Sequence, residues 1–214
     1  MTRLPPSTSM LAVLLLALAA PAAAESWRLE HEASGDDTGL HMWSRSVQGS
    51  AYPEYRMELR LRAAPDEVVG ALETNMFDSR TWPDNFQRKV LEQRQGFVLA
   101  YDYISVPLLA DRDAVLRIES LRDPETGARR IEWSTTREAG PAPRSGVVRM
   151  PRSDGFWSVE PDGEGGSRAV YQAFVDFAGS LPGSLVSSSV ESSILEQVGW
   201  LERTLRERLL ARRR

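Results

Sequence analysis

Tyr55-Arg56-Met57-Glu58-Leu59-Arg60-Leu61-Arg62 alternates apolar and charged residues without a break. A period of two is the signature of a strand with one buried and one wet face, and a helix cannot use it. One solvated face in turn points to an antiparallel sheet, since parallel sheets are covered on both sides. Working outward, His41 to Val47 reads as a partner strand, with Gly49-Ser50-Ala51-Tyr52-Pro53 as the turn. Downstream, strands are predicted at Val90–Arg94 and Phe97–Ile104, joined by a tight turn through Gln95-Gly96. Others follow at Ala114–Leu121, Arg130–Thr136, Gly146–Met150, Phe156–Glu160 and Ala169–Phe177. Turn-forming segments separate them: Asp123 to Gly127, Gly140 to Pro143, and Pro161 to Gly166. The whole reads as a long run of meandering antiparallel strands.

Two helices interrupt or close that run. Ala64-Pro65-Asp66-Glu67 places proline and acids in a first turn, where the helix dipole favours negative charge, and the helix is predicted to reach about Asp78. After Leu181-Pro182-Gly183-Ser184, apolar residues recur at Val186, Val190, Ile194, Val198, Leu201, Leu205 and Leu209, spaced by three or four. That is one apolar stripe, with Glu191, Glu196, Glu202, Arg203, Arg206 and Glu207 on the opposite face. This order of elements predicts an α+β fold, a curved antiparallel sheet wrapped around a long C-terminal helix. Such a sheet encloses more space than one helix fills, so an internal cavity is expected.

The N-terminus sets the expected compartment. Arg3 in a short polar start, the apolar stretch Met10 to Ala20, and Pro21-Ala22-Ala23-Ala24 describe a secretory signal peptide over 1–24, cleaved after Ala24. The apolar run is shorter than the roughly 20 residues a spanning helix needs, which disfavours the alternative of an uncleaved anchor. Residues 25–214 then form one domain, expected in the periplasm. The chain has no cysteine, which excludes a thiol-linked lipid anchor, disulfides and thiolate metal sites. Its formal charge is −4, and losing residues 1–24 removes one arginine and no acid, leaving −5. Mild acidity argues against nucleic acid as a partner.

Four short segments now carry a resemblance. Trp82-Pro83-Asp84-Asn85, Leu108-Leu109-Ala110-Asp111-Arg112-Asp113, Ser145-Gly146-Val147-Val148-Arg149 and Leu181-Pro182-Gly183-Ser184-Leu185-Val186 resemble elements of the START (StAR-related lipid-transfer) domain family, in order, across roughly Trp27 to Leu210. The resemblance implies a helix-grip fold, a tunnel for a sterol or other lipid, and the C-terminal helix as its lid. In some members a buried arginine at the place of Ile118 pairs with an acid on the preceding strand. Here that position is apolar, so a neutral, mostly apolar ligand is expected, an unpaired charge in low dielectric being costly.

The candidate tunnel walls are Met57, Leu59, Leu61, Leu116, Ile118, Ile131, Trp133 and Phe174, with Val190, Ile194 and Val198 from the lid and Asp102 with Tyr101 or Tyr103 as a polar anchor for a hydroxyl. Each apolar member has an equal alternative as ordinary core. Arg112, Asp113 and Arg149 read as structural groups fixing loops. Enzyme chemistry finds little footing. The only histidines are His31 and His41, without metal-ligand spacing, and no serine lies in a Gly-x-Ser-x-Gly turn. Gly163 to Gly166 lacks the lysine and hydroxyl residue of a phosphate loop. No catalytic residue, metal or cofactor is therefore assigned. The expected partners are a neutral lipid and, transiently, a membrane, with the protein a monomer. The alternatives are a cyclase-, aromatase- or hydrolase-like enzyme on the same fold, marked by a titratable pair in the tunnel, and a partner-binding protein with a filled cavity.

Overall fold

The computed structural model describes residues 26–34, 39–179 and 181–212. The predicted signal peptide lies outside them. Among the described residues ten strands form one sheet: β1 (Arg28–Ser34), β2 (Gly39–Arg45), β3 (Glu54–Leu61), β4 (Phe86–Arg94), β5 (Phe97–Ile104), β6 (Asp111–Arg122), β7 (Arg129–Thr135), β8 (Val147–Arg149), β9 (Arg152–Pro161) and β10 (Ser167–Asp176). Helix α1 (Pro65–Phe77) falls between β3 and β4, and α2 (Gly183–Arg212) closes the chain. The spatial order is β1-β2-β3-β10-β9-β7-β6-β5-β4, with β8 beside β6. All pairings are antiparallel except that of β8 with β6, which is parallel and departs from the predicted meander.

The deciding octapeptide behaves as its alternation requires. Tyr55, Met57, Leu59 and Leu61 are buried, while Arg56, Glu58 and Arg60 face outward. Outside, Glu58 pairs with Arg56 and Arg168, each at 2.7 Å. Inside, Met57 and Leu59 belong to a continuous core with Val68, Val69 and Leu72 of α1 and Val198, Leu201 and Leu205 of α2. Burying a side chain of that size contributes about 1.5–3 kcal/mol relative to exposure.

Helix α1 starts where proline and acids predict it, and the Glu67 carboxylate accepts from the Ala64 N–H at 3.1 Å. At the start of α2, a Cβ on Gly183 would sit 2.9 Å from the Ala51 carbonyl oxygen, so glycine lets the helix approach the β2–β3 loop. Several boundaries differ from the sequence reading. An additional strand, β1, covers β2, so His41 is not at an edge; it bonds Glu32 at 3.1 Å and stacks on Trp43. Strands β4, β6 and β9 each begin earlier than predicted, by three or four residues, and those added residues matter for the site.

Candidate functional site

A cavity of about 340 Å³ lies between the inner face of the sheet and the first half of α2. Its floor comes from alternate residues of neighbouring strands: Leu116 on β6, Trp133 on β7, Trp157 on β9, and Tyr171 and Ala173 on β10. Ser189, Val190, Ser193 and Ile194 of α2 form the roof, spaced by one helical turn. Leu72, Asn75 and Met76 of α1 and the following Trp82 and Pro83 complete one side. Trp82 is fixed there by its indole N–H, which donates to the Asn75 carbonyl at 2.8 Å, and by edge-on packing against Phe86. The small serines of α2 leave room beneath it that larger residues would fill.

One ion pair lines this cavity. Arg88 on β4 and Asp102 on β5 are cross-strand partners. The guanidinium Nε donates to Oδ1 at 2.6 Å and Nη2 donates to Oδ2 at 2.7 Å, while Nη1 donates to the Met76 carbonyl at 3.2 Å. The side chains are only 11% and 7% exposed, so the bidentate pair works in a low local dielectric. The apolar residue at 118 had led to the expectation of a cavity without an ion pair. The pair exists instead one strand over. Its arginine escaped the sequence reading because β4 was taken to start at Val90.

The loops beside the cavity are held by buried polar groups. Arg112, 3% exposed, donates Nε to the Phe177 carbonyl at 3.1 Å and Nη2 to the Ala178 carbonyl at 3.2 Å, and Nη1 bonds the Ala110 carbonyl. It thus ties the β5–β6 loop to the segment leading into α2. Asp113 accepts from Arg149 Nε at 2.6 Å and from the Tyr101 hydroxyl at 2.9 Å. Burial by itself would raise the Asp113 pKa, but these bonds and the arginine charge hold it below the usual carboxylate value. Asp111 accepts from the Val106 N–H at 2.9 Å and from the Tyr103 hydroxyl, which shapes the turn between β5 and β6. At the tip of that turn Leu108 has a left-handed backbone, φ 65°, and is fully exposed at 104%.

Of the residues predicted to form the tunnel, Asp102, Leu116, Trp133, Val190 and Ile194 line the cavity. The other seven do not, nor do Tyr101 and Tyr103, which bond Asp113 and Asp111 instead. Met57, Leu59, Leu61 and Val198 are packed in the core, which includes the second half of α2. Ile118 and Ile131 border a separate open cleft of about 370 Å³ at the β4–β5 hairpin. Phe174 is on the outer face, under the Arg152 guanidinium, because the inner parity of β10 runs through Ala169, Tyr171 and Ala173. A one-residue shift along a strand exchanges its faces. The outer groove that Phe174 borders, also about 340 Å³, is open and lined by paired charges such as Arg117–Glu119 and Arg152–Asp154, as a solvated sheet face should be.

Arg88, Trp157, Tyr171, Met76 and Trp82 were missed. Trp82 lay inside a motif already singled out, and Tyr171 was legible from the parity of β10. Among the described residues no cluster of histidine and carboxylate side chains could hold a metal, and no helix is long and apolar enough to cross a membrane.

No protein-family model matches the chain. An uncharacterized protein of Pseudomonas aeruginosa is 27% identical over 203 residues, covering 94% of this chain and 96% of its own. The crystal structure of a STAR-related lipid transfer protein from Xanthomonas axonopodis is 30% identical with a TM-score of 0.67, over 84% of this chain and 98% of that one. Human StAR-related lipid transfer protein 5 shares the fold at 18% identity, with a TM-score of 0.65 over 85% of this chain and 86% of its own.

Proposed function

The chain belongs to the START (StAR-related lipid-transfer) family, and from that premise we propose that it binds one neutral, lipid-like molecule in the cavity under α2 and transfers it between membranes in the periplasm. The observation that carries this reading is the cavity itself, about 340 Å³ of mostly apolar lining in an otherwise packed core. That volume is at the lower end for small-molecule sites, which favours a single-chain or compact ligand over a two-chain lipid. A neutral ligand suits the cavity because Arg88 and Asp102 cancel each other and offer no free charge.

A titratable pair in the cavity is the feature an enzyme would need, but this pair suits anchoring better than catalysis. Both Asp102 oxygens are engaged by Arg88, and a guanidinium has no acceptor to offer a reacting group. Asp102 thus keeps its proposed role as a polar anchor, now together with Arg88.

Membrane contact is proposed at the β5–β6 turn. A fully exposed leucine in a left-handed conformation carries strain of about 1–2 kcal/mol, and Asp111 and Arg112 hold the turn that presents it, with half-exposed Leu109 beside it. Such strain at an exposed apolar tip points to use at an apolar surface.

Native mass spectrometry of protein purified from the periplasmic fraction, with extraction of what co-purifies, tests the binding. A stoichiometric neutral lipid is expected. Protein found empty, and unable to take up fluorescent acyl or sterol probes, would refute it. For the membrane step, Leu108→Ser with Leu109→Ser is expected to slow vesicle-to-vesicle transfer several-fold with binding retained. Unchanged transfer would remove this turn from the mechanism.

A further inference from the structure

Tyr171 is unused by the reading so far. It lies on the inner face of β10, opposite Trp157 of β9 and Met57 of β3. Its ring packs on Trp157 at 5.0 Å and Trp133 at 5.9 Å between centroids. It borders both the main cavity and a narrow extension toward Tyr52 and Val186. Protein atoms cover it only in part although it sits deep in the molecule, so its uncovered portion faces the cavity.

Of the other tyrosines, Tyr52 in the β2–β3 loop makes no hydrogen bond through its hydroxyl among the described residues, whereas the remaining three have partners. Tyr55 donates to Glu191 at 3.2 Å, Tyr101 to Asp113 at 2.9 Å, and Tyr103 to Asp111. The Tyr171 hydroxyl makes no hydrogen bond among the described residues, and burial alone pushes its proton loss far above the ordinary tyrosine range. A phenylalanine would pack the same ring against the two tryptophans, so that packing does not need the hydroxyl.

We propose that the Tyr171 hydroxyl is a polar subsite for an oxygen atom (hydroxyl, carbonyl or ester) of an otherwise apolar, uncharged ligand. This rests on the reading that the cavity binds a lipid-like molecule. The subsite takes an uncharged group because no ionic side chain lines the cavity near β10 among the described residues. The charged pair, Arg88 with Asp102, is on β4 and β5, separated from β10 by β9, β7 and β6 and closed on itself. An anion beside Tyr171 would be left without a counter-charge. The cavity therefore offers polar groups on both sides of an aromatic surface, the Arg88–Asp102 pair on one and, on the other, the Tyr171 hydroxyl with its hydrogen bond still to give.

The test uses three chain-matched probes, dodecane, 1-dodecanol and methyl dodecanoate, competing with a fluorescent acyl probe on the purified protein and on Tyr171→Phe. The unsubstituted protein is expected to bind the two oxygen-bearing probes about tenfold more tightly than dodecane, or 1.4 kcal/mol. Tyr171→Phe should cut that preference several-fold, leave dodecane binding unchanged, and keep or raise the melting temperature of the empty protein. Equal binding of all three probes by the unsubstituted protein overturns the subsite while the binding reading stands. So does a preference undiminished in Tyr171→Phe, and so does a fall in melting temperature, which would mark the hydroxyl as structural. Failure of the unsubstituted protein to bind any of the three overturns the binding reading, and the subsite with it.

Discussion

Replacing Asp102 by leucine would leave the Arg88 guanidinium inside the protein with the Met76 carbonyl, at 3.2 Å, as its remaining partner. Breaking a buried pair from one side leaves an uncompensated charge, and the loss expected is about 3–5 kcal/mol. For a domain of this length 1 kcal/mol corresponds to roughly 2–4 °C, so the melting temperature should fall by roughly 6–20 °C. Arg88→Met should do similar damage by stranding the carboxylate. Replacing both, Arg88→Met with Asp102→Leu, removes the two desolvation penalties together and should restore stability to within about 1 kcal/mol of the starting protein. A double-mutant cycle by calorimetry or urea unfolding thus predicts coupling of at least about 5 kcal/mol, far above that of a surface pair. The reasoning is refuted if the single changes cost under about 1 kcal/mol or if the double change equals their sum. Either result would mean that water in the cavity screens the pair as bulk solvent would. The same variants report on ligand: the double replacement is stable enough to assay, and weaker binding of a hydroxyl-bearing probe would assign the pair an anchoring role.

Two further predictions concern the loops and the floor. Since the Asp113 pKa is held below its unfolded value of about 3.9, its contribution to stability is present above that pH and is lost as pH falls through the lower folded value; urea midpoints measured down this range should show the loss, and Arg149→Ala should remove it. An unchanged acid slope in Arg149→Ala would place the linkage elsewhere. Gly155→Ala should destabilise by about 1–3 kcal/mol, because its Cβ would lie 2.4 Å from Trp133 Cζ2 and 2.6 Å from the Gln172 carbonyl oxygen. Tryptophan emission should shift as Trp133 is displaced from the cavity floor, and a variant as stable as its parent would contradict this close packing.

What the sequence determined by itself was whatever depends on period and local chemistry. The alternation from Tyr55 to Arg62 set a one-sided strand, the spacing from Val186 to Leu209 set the closing helix, and four short segments in order pointed to the family. Both periodic readings rest on backbone geometry, which repeats every two or 3.6 residues whatever the surroundings. Tertiary structure alone decided which inward-facing residues meet a void and which meet other side chains. Met57 and Leu116 share a pattern and a degree of burial, yet Met57 is in the packed core and Leu116 borders the cavity. Periodicity reports which face of a strand is covered but not what covers it. The pairing of Arg88 with Asp102 has the same origin. It joins residues 14 apart whose meeting depends on the β4–β5 register, and a bulge between Val90 and Glu92 shifts that register beyond the reach of any local pattern.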